Sequence, residues 1–363
     1  MSKHKADTNH NIKNQIKDRC SLFLLSLIFL LSLCLSGCGR QEKVPFTKTD
    51  FYFDTVVSLT IYDTPDDQSK AEDLLEEAMA ECARYDDLLN AYKEGSEIWQ
   101  INHANGEWVL VSDETKNMIY NALKYCDMTD GSIDITIKPV KDLWDFTPDG
   151  NNAVPPDTYL SKALSHVDYL SIETEGNKVR LLDPEAQIDP GFIAKGFIAD
   201  ELKAFLLAKD ADCAIINLGG NVQTIGAKPD GSLFSVGIQK PWADSGDFCK
   251  TVSVGESDSV KGAKSTALRE TQTAVATSGV YERYFKMGGR VYHHILDTAT
   301  GMPVQTDLDS VTIIAHSATD ADALSTTCLI LGSEKAESYI RSLENIDAIL
   351  IKQDGTIIDT KEP

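Results

Sequence analysis

Between residues 22 and 35 the chain is almost wholly apolar, and a basic stretch carrying Lys3, Lys5, Lys13, Lys17 and Arg19 precedes it. That run is too short for a comfortable membrane span and reads as the apolar core of a secretory signal. Beyond it the pattern alternates. Residues 51–62 (FYFDTVVSLTIY) are aromatic and β-branched and predict a first strand. Ala71, Leu74, Leu75, Ala78, Met79 and Cys82 recur at helical spacing behind a Ser69-x-x-Glu72 capping box. A second amphipathic helix is predicted from 113 to 126, stopped by Asp130-Gly131, and a loop or lobe junction at 147–158. Then strands are predicted at 178–182, 213–217, 233–238, 311–315 and 348–352. Helices are predicted at 193–208, 322–331 and 333–343. Residues 242–272 are polar, with little periodicity, and read as a long surface excursion. This mixture predicts an α+β protein, with mixed sheets and packed helices in two intimate lobes. A doubly wound dinucleotide fold is not indicated, because no GxGxxG follows a strand.

The apolar run ends at Leu35-Ser36-Gly37-Cys38, small residues before a cysteine, which resembles a bacterial lipobox. The expected division is a signal peptide over 1–37, a lipidated tether over 38–50 beginning at Cys38, and a domain over 51–358. Lipid on Cys38 would hold the protein to a membrane, outside the cytoplasm. Loss of residues 1–37, with five basic and two acidic groups, takes the formal charge from −22 to −25. So acidic a surface argues against nucleic-acid partners. An anionic substrate would need a cation or local donors. Five cysteines remain after Cys38, widely spaced and without metal-ligand spacing.

Four segments could carry chemistry. In Ala321-Asp322-Ala323-Leu324-Ser325-Thr326, helical spacing puts Asp322, Ser325 and Thr326 on one face. A carboxylate with hydroxyls is an incomplete hard-oxygen site suited to Mg²⁺; an aspartate cap with a surface Ser/Thr pair would look the same. In Ile188-Asp189-Pro190-Gly191-Phe192-Ile193-Ala194-Lys195-Gly196-Phe197 an acid and two glycines accompany the start of a helix with a first-turn lysine, an arrangement able to hold phosphate. Tyr292-His293-His294 offers a general base, and strand alternation would send the two histidines to opposite sides. Gly131-Ser132-Ile133-Asp134 forms a turn whose backbone could clamp a planar ring. No GxSxG, HExxH or phosphate-loop motif occurs.

Taken in order, FDTVVSLTIY, YKEGSEIWQIN, TDGSIDITIKPVKDLW, IDPGFIAKGFIAD, INLGGNV, ATSGVYERYF, YHHILDTATGMPV and ADALSTTCLILG resemble the bacterial ApbE family of FAD:protein FMN transferases. The resemblance spans about residues 50–358 and implies a T-fold-like architecture. It implies Mg²⁺-dependent transfer of the FMN half of FAD to a Ser or Thr hydroxyl of a target flavoprotein, with release of AMP. That acceptor would be a redox-complex subunit or an extracellular flavin reductase. By the same resemblance Asp322, Thr326, Ser325 and the Phe192 carbonyl would hold Mg²⁺. Asp189 and Lys195 would contact FAD, and Ser132, Ile133, Asp134, Phe53, Tyr92 and the Leu296 backbone would line its pocket. His294 would take the proton of the acceptor hydroxyl. Two positions depart from the family pattern: Phe192 replaces a small residue, and Phe53 stands where methionine is frequent. A Mg²⁺-dependent FAD pyrophosphatase and a non-catalytic flavin-binding lipoprotein are the competing readings.

Overall fold

The computed structural model describes residues 45–362, apart from 63–67, 148, 245 and 257–271. The signal peptide, Cys38 and most of the tether therefore lie outside the described residues. From Pro45 on, the chain forms one compact unit. Its strands are β1 (Phe46–Tyr52), β2 (Thr55–Ile61), β3 (Val109–Leu110), β4 (Ile172–Glu175), β5 (Lys178–Leu181), β6 (Ala214–Leu218) and β7 (Asn221–Ile225). There follow β8 (Phe234–Gln239), β9 (Phe248–Val254), β10 (Ala274–Gly279), β11 (Tyr284–Met287), β12 (Arg290–His293), β13 (Leu308–Ala315), β14 (Asp347–Lys352) and β15 (Ile357–Asp359). The main helices are α1 (Gln68–Leu89), α2 (Asp113–Met128), α3 (Ala194–Ala208), α4 (Ala318–Leu331) and α5 (Ser333–Ser342). The α+β expectation holds.

The framework is an eight-stranded antiparallel sheet in the order β1-β2-β6-β7-β10-β13-β14-β15. Both faces are covered, which explains why β13 is buried at every position. Val311, Ile313 and Ala315 face the large core under the helices, while Ile314 faces a smaller core closed by Phe234, Ile238 and Val254 of the β8–β9 hairpin. Helices α3 and α4 pack on each other, and α4 also lies on β10 and β13. A third cluster gathers Val140, Trp144, Leu160, Phe285, Tyr292 and Leu296 beneath the β11–β12 hairpin. The Phe285 and Tyr292 rings stack at 5.1 Å, and the Trp144 indole donates to the Gly301 carbonyl at 2.9 Å.

Three local expectations change. The strand predicted over 51–62 is a hairpin. It turns at Phe53 and Asp54, both with positive φ (55° and 57°), and its first arm begins at Phe46 within the expected tether. A two-residue turn of this hand favours Asn-Gly or Asp-Gly, so Phe-Asp gave no turn signal. Helix α1 starts at Gln68, which places Ser69 inside the helix rather than at its cap. Within the polar stretch 242–272, Phe248–Val254 pairs along β8.

Candidate active site

Helix α4 is capped by Ser317, whose hydroxyl accepts from the Asp320 N–H at 3.2 Å. Its first amides are also met by Asp200 of α3, which accepts from the N–H groups of Ala318 and Thr319, both at 2.9 Å. Asp322 therefore lies a full turn inside the helix rather than at its cap. It is 4 % exposed and faces α3. There Asp322 Oδ2 accepts the Gly196 N–H at 2.9 Å. Only glycine allows this approach: a Cβ at 196 would collide with the Ala318 carbonyl and lie 2.7 Å from the Asp322 Cβ. In an uninterrupted helix the Gly196 N–H would donate to the carbonyl four residues back, Phe192. Since it goes to Asp322, no donor among the described residues reaches the Phe192 carbonyl.

The hydroxyls on the same face are joined. Ser325 donates to the Asp322 backbone carbonyl at 2.8 Å. Ser278 of β10 touches Ser325 Oγ at 2.7 Å and Thr326 Oγ1 at 2.9 Å. Ser325 is 0 % exposed, whereas Thr326 and Ser278 are partly open to solvent. Asp322 and Thr326 thus present a carboxylate and a hydroxyl oxygen on one face of α4, donors of the hard type that Mg²⁺ selects. Among the described residues no group of three or more His, Cys, Asp and Glu could hold a metal.

Cations flank this face. Lys195 and Arg283 form no ion pair among the described residues, and both act electrostatically on Glu282. Glu282 keeps a side open to solvent, while Lys195, Asp322 and Arg283 lie close enough to act on its charge. Desolvation pushes its carboxyl up to about 7, Lys195 and Arg283 oppose the shift, and Asp322 adds to it.

Asp189 is buried and spoken for. It accepts from the Gly191 N–H at 2.8 Å, pairs with Lys141 and meets the Tyr92 hydroxyl at 3.5 Å. Burial would raise its carboxyl, but the Lys141 ammonium prevails and holds it below the usual range. Tyr92 also donates to Asp142 at 2.8 Å, and the Lys138 ammonium sits 4.2 Å from its ring centre.

His293 ends β12 and His294 follows it in a bend, so strand alternation does not separate them. His293 is packed inward, with Nε2 at 3.2 Å from the Val304 carbonyl. His294 is partly open. Its Nδ1 lies 3.3 Å from the Arg283 carbonyl, which requires the proton on Nδ1 and leaves Nε2 as a bare acceptor. Burial, then the neighbouring His293, Arg283 and Lys141, push His294 down to about 3, so the ring is neutral at neutral pH.

The remaining expected residues are placed differently. The Asp134 carboxylate is taken up by the Thr136 N–H and hydroxyl, at 2.8 and 2.6 Å, and by the Tyr169 N–H at 2.9 Å. Ile133 is buried, so this turn can meet a ligand only through its backbone and Ser132. The turn is tied to the loop after His294 by the Thr298 hydroxyl, which donates to the Gly131 carbonyl at 2.7 Å. Leu296 sits in the aromatic cluster and bridges Pro303 through its backbone. Phe53 packs on the main core at the hairpin tip. The sequence reading missed Lys141, Ser278, Glu282 and Arg283. The last three lie in ATSGVYERYF, which carried the resemblance but had no chemistry assigned to it.

Fold and site define an α+β protein with carboxylate and hydroxyl oxygens on one face of α4, Lys195 and Arg283 acting beside it, and a neutral imidazole held by the Arg283 carbonyl. The chain belongs to the ApbE family, whose model matches residues 53–350. A FAD:protein FMN transferase of Klebsiella pneumoniae is 34% identical over 76% of this chain and 81% of its own length. One from Treponema pallidum is 28% identical over 94% of both chains. The crystal structure of the ApbE protein of Thermotoga maritima superposes with a TM-score of 0.75 at 29% identity, covering 87% of this chain and 97% of that one.

Proposed function

We propose that this protein transfers the FMN moiety of FAD to a Ser or Thr hydroxyl of a target flavoprotein, releasing AMP, with Mg²⁺ on the Asp322–Thr326 face. The observation that carries this reading is that Arg283 acts both on Glu282, beside Lys195 and Asp322, and on neutral His294, in a chain similar to named FMN transferases. Asp322, Thr326 and the Phe192 carbonyl would hold the ion. When bound, Mg²⁺ neutralises phosphate charge and lowers the cost of charge developing on the leaving AMP oxygen. Lys195 and Arg283 would add positive charge beside the pyrophosphate, against a net charge of −22 over the whole chain. His294 Nε2 accepts the proton of the acceptor hydroxyl. The hydroxyl oxygen bonds to the FMN-side phosphorus as the bond to the AMP oxygen breaks.

The test is to incubate the purified protein with FAD, Mg²⁺ and a candidate flavoprotein, then measure AMP, free FMN and target mass. AMP with a target mass gain of one FMN supports transfer. AMP and FMN without that gain support a pyrophosphatase, and FAD left intact sinks both.

The Leu35-Ser36-Gly37-Cys38 sequence supports lipidation of Cys38 and attachment to a membrane facing outside the cytoplasm, which would restrict acceptors to flavoproteins exposed there. Cys38→Ser should then move the protein from the membrane fraction to the soluble one; unchanged partitioning would contradict the anchor.

A further inference from the structure

The hydroxyl chain on α4 has a direction, and one backbone carbonyl sets it. The Asp322 carbonyl oxygen can only accept, so the 2.8 Å contact spends the single hydroxyl proton of Ser325. Across the 2.7 Å contact between Ser325 and Ser278, only Ser278 then has a proton to give. That in turn spends the Ser278 proton, so the 2.9 Å contact with Thr326 requires Thr326 to donate. Thr326 is left with bare lone pairs on its open side, next to Asp322.

We propose that Ser278 is a positioning residue for the metal face: by taking the Thr326 proton it aims the Thr326 oxygen at the cation, and Ser325 fixes its direction from behind. The inference deepens the metal reading above and rests on it. It gives Ser325 a different role from the ligand expected by resemblance. Ser325 is fully buried beneath its neighbours with its proton committed, while Ser278 and Thr326 are partly open to solvent. The strand is built for this approach. Ala274, Ala276 and Ser278 alternate onto the helix-covered face of β10, and the two alanines leave room for α4 to come close. A hydroxyl free to rotate would put its proton toward the cation in part of its orientations, and groups that orient metal ligands are worth about 10–100-fold in affinity.

The experiment is Mn²⁺ titration of the purified protein, reading free Mn²⁺ by electron paramagnetic resonance, with the metal-free Tm measured alongside. Ser278→Ala should weaken Mn²⁺ binding about tenfold with little change in metal-free Tm. Ser278→Thr, which keeps the hydroxyl, should restore binding. Ser325→Ala breaks the chain one link further out and should give a smaller loss of the same sign; it also serves should Ser278→Ala fail to fold. Wild-type affinity in Ser278→Ala overturns the proposal, as does a loss in Ser325→Ala far larger than in Ser278→Ala, which would make Ser325 a direct ligand. A wild-type protein that binds no Mn²⁺ overturns the metal reading on which the proposal stands.

Discussion

Gly196 donates its N–H to the carboxylate of Asp322 across 126 residues of sequence, at 2.9 Å. This contact joins the first turn of α3 to α4 and withdraws the donor that would otherwise occupy the Phe192 carbonyl. Gly196→Ala should therefore fail on two counts. The new Cβ meets backbone at Ala318, which cannot fold away like a flexible side chain. A loss of about 2–3 kcal/mol by denaturant unfolding is expected from overpacking, together with loss of Mn²⁺ binding. Wild-type stability would mean that the helices part at no cost, and the close approach would then be incidental.

His294→Ala should slow FMN transfer by about 10²–10⁴-fold while FAD affinity is retained, since the imidazole serves the acceptor proton. The pH profile gives a second check. With His294 pushed down to about 3, the ring stays neutral across the physiological range. The wild-type transfer rate should show no protonation step near the ordinary histidine value of 6.5. An acid limb centred there, absent from the variant, would mean the ring titrates normally.

Glu282 should make stability fall as pH rises. Its folded carboxyl is raised from 4.5 to about 7, so the folded state holds the proton more tightly than the unfolded chain. The stability it contributes is complete below 4.5 and is lost as pH climbs through 7. Glu282→Gln keeps the neutral form at every pH. Its Tm advantage over wild type should grow between pH 5 and pH 8 in calorimetry, and an advantage that shrinks over that window contradicts the assignment.

Lys141→Ala should strand the buried Asp189 carboxylate, at a cost of about 3 kcal/mol. Because Lys141 holds that carboxyl below its ordinary value, the stability it contributes is present above the unfolded pKa and lost as pH falls. The deficit of the variant should accordingly narrow in acid. Adding Asp189→Asn should recover much of the loss at neutral pH. A double variant no more stable than Lys141→Ala would argue that the lysine acts through packing.

Much of the secondary structure follows from the pattern alone. The helices at 113–128 and 194–208 and the strands at 178–181 and 214–218 stand where period and turn residues put them, because those signals are local. The hairpin at Phe53–Asp54 was not legible, since positive φ was met there without the residues that usually announce it. The strand expected to carry both histidines ends at His293, and only the packing against Val304 decided that His293 goes inward.

The i, i+4 spacing of Asp322 and Thr326 was readable as a face, and ATSGVYERYF was readable as a match. That Ser278 of β10 meets the face, that the Arg283 carbonyl orients His294, and that Lys141 neutralises Asp189 became visible only in the fold. The reason is physical. Periodicity along the chain determines which side of an element is buried. Which elements meet is decided by strand pairing and helix packing, which join β10 to α4, Arg283 to His294 across the β11–β12 hairpin, and Lys141 to Asp189.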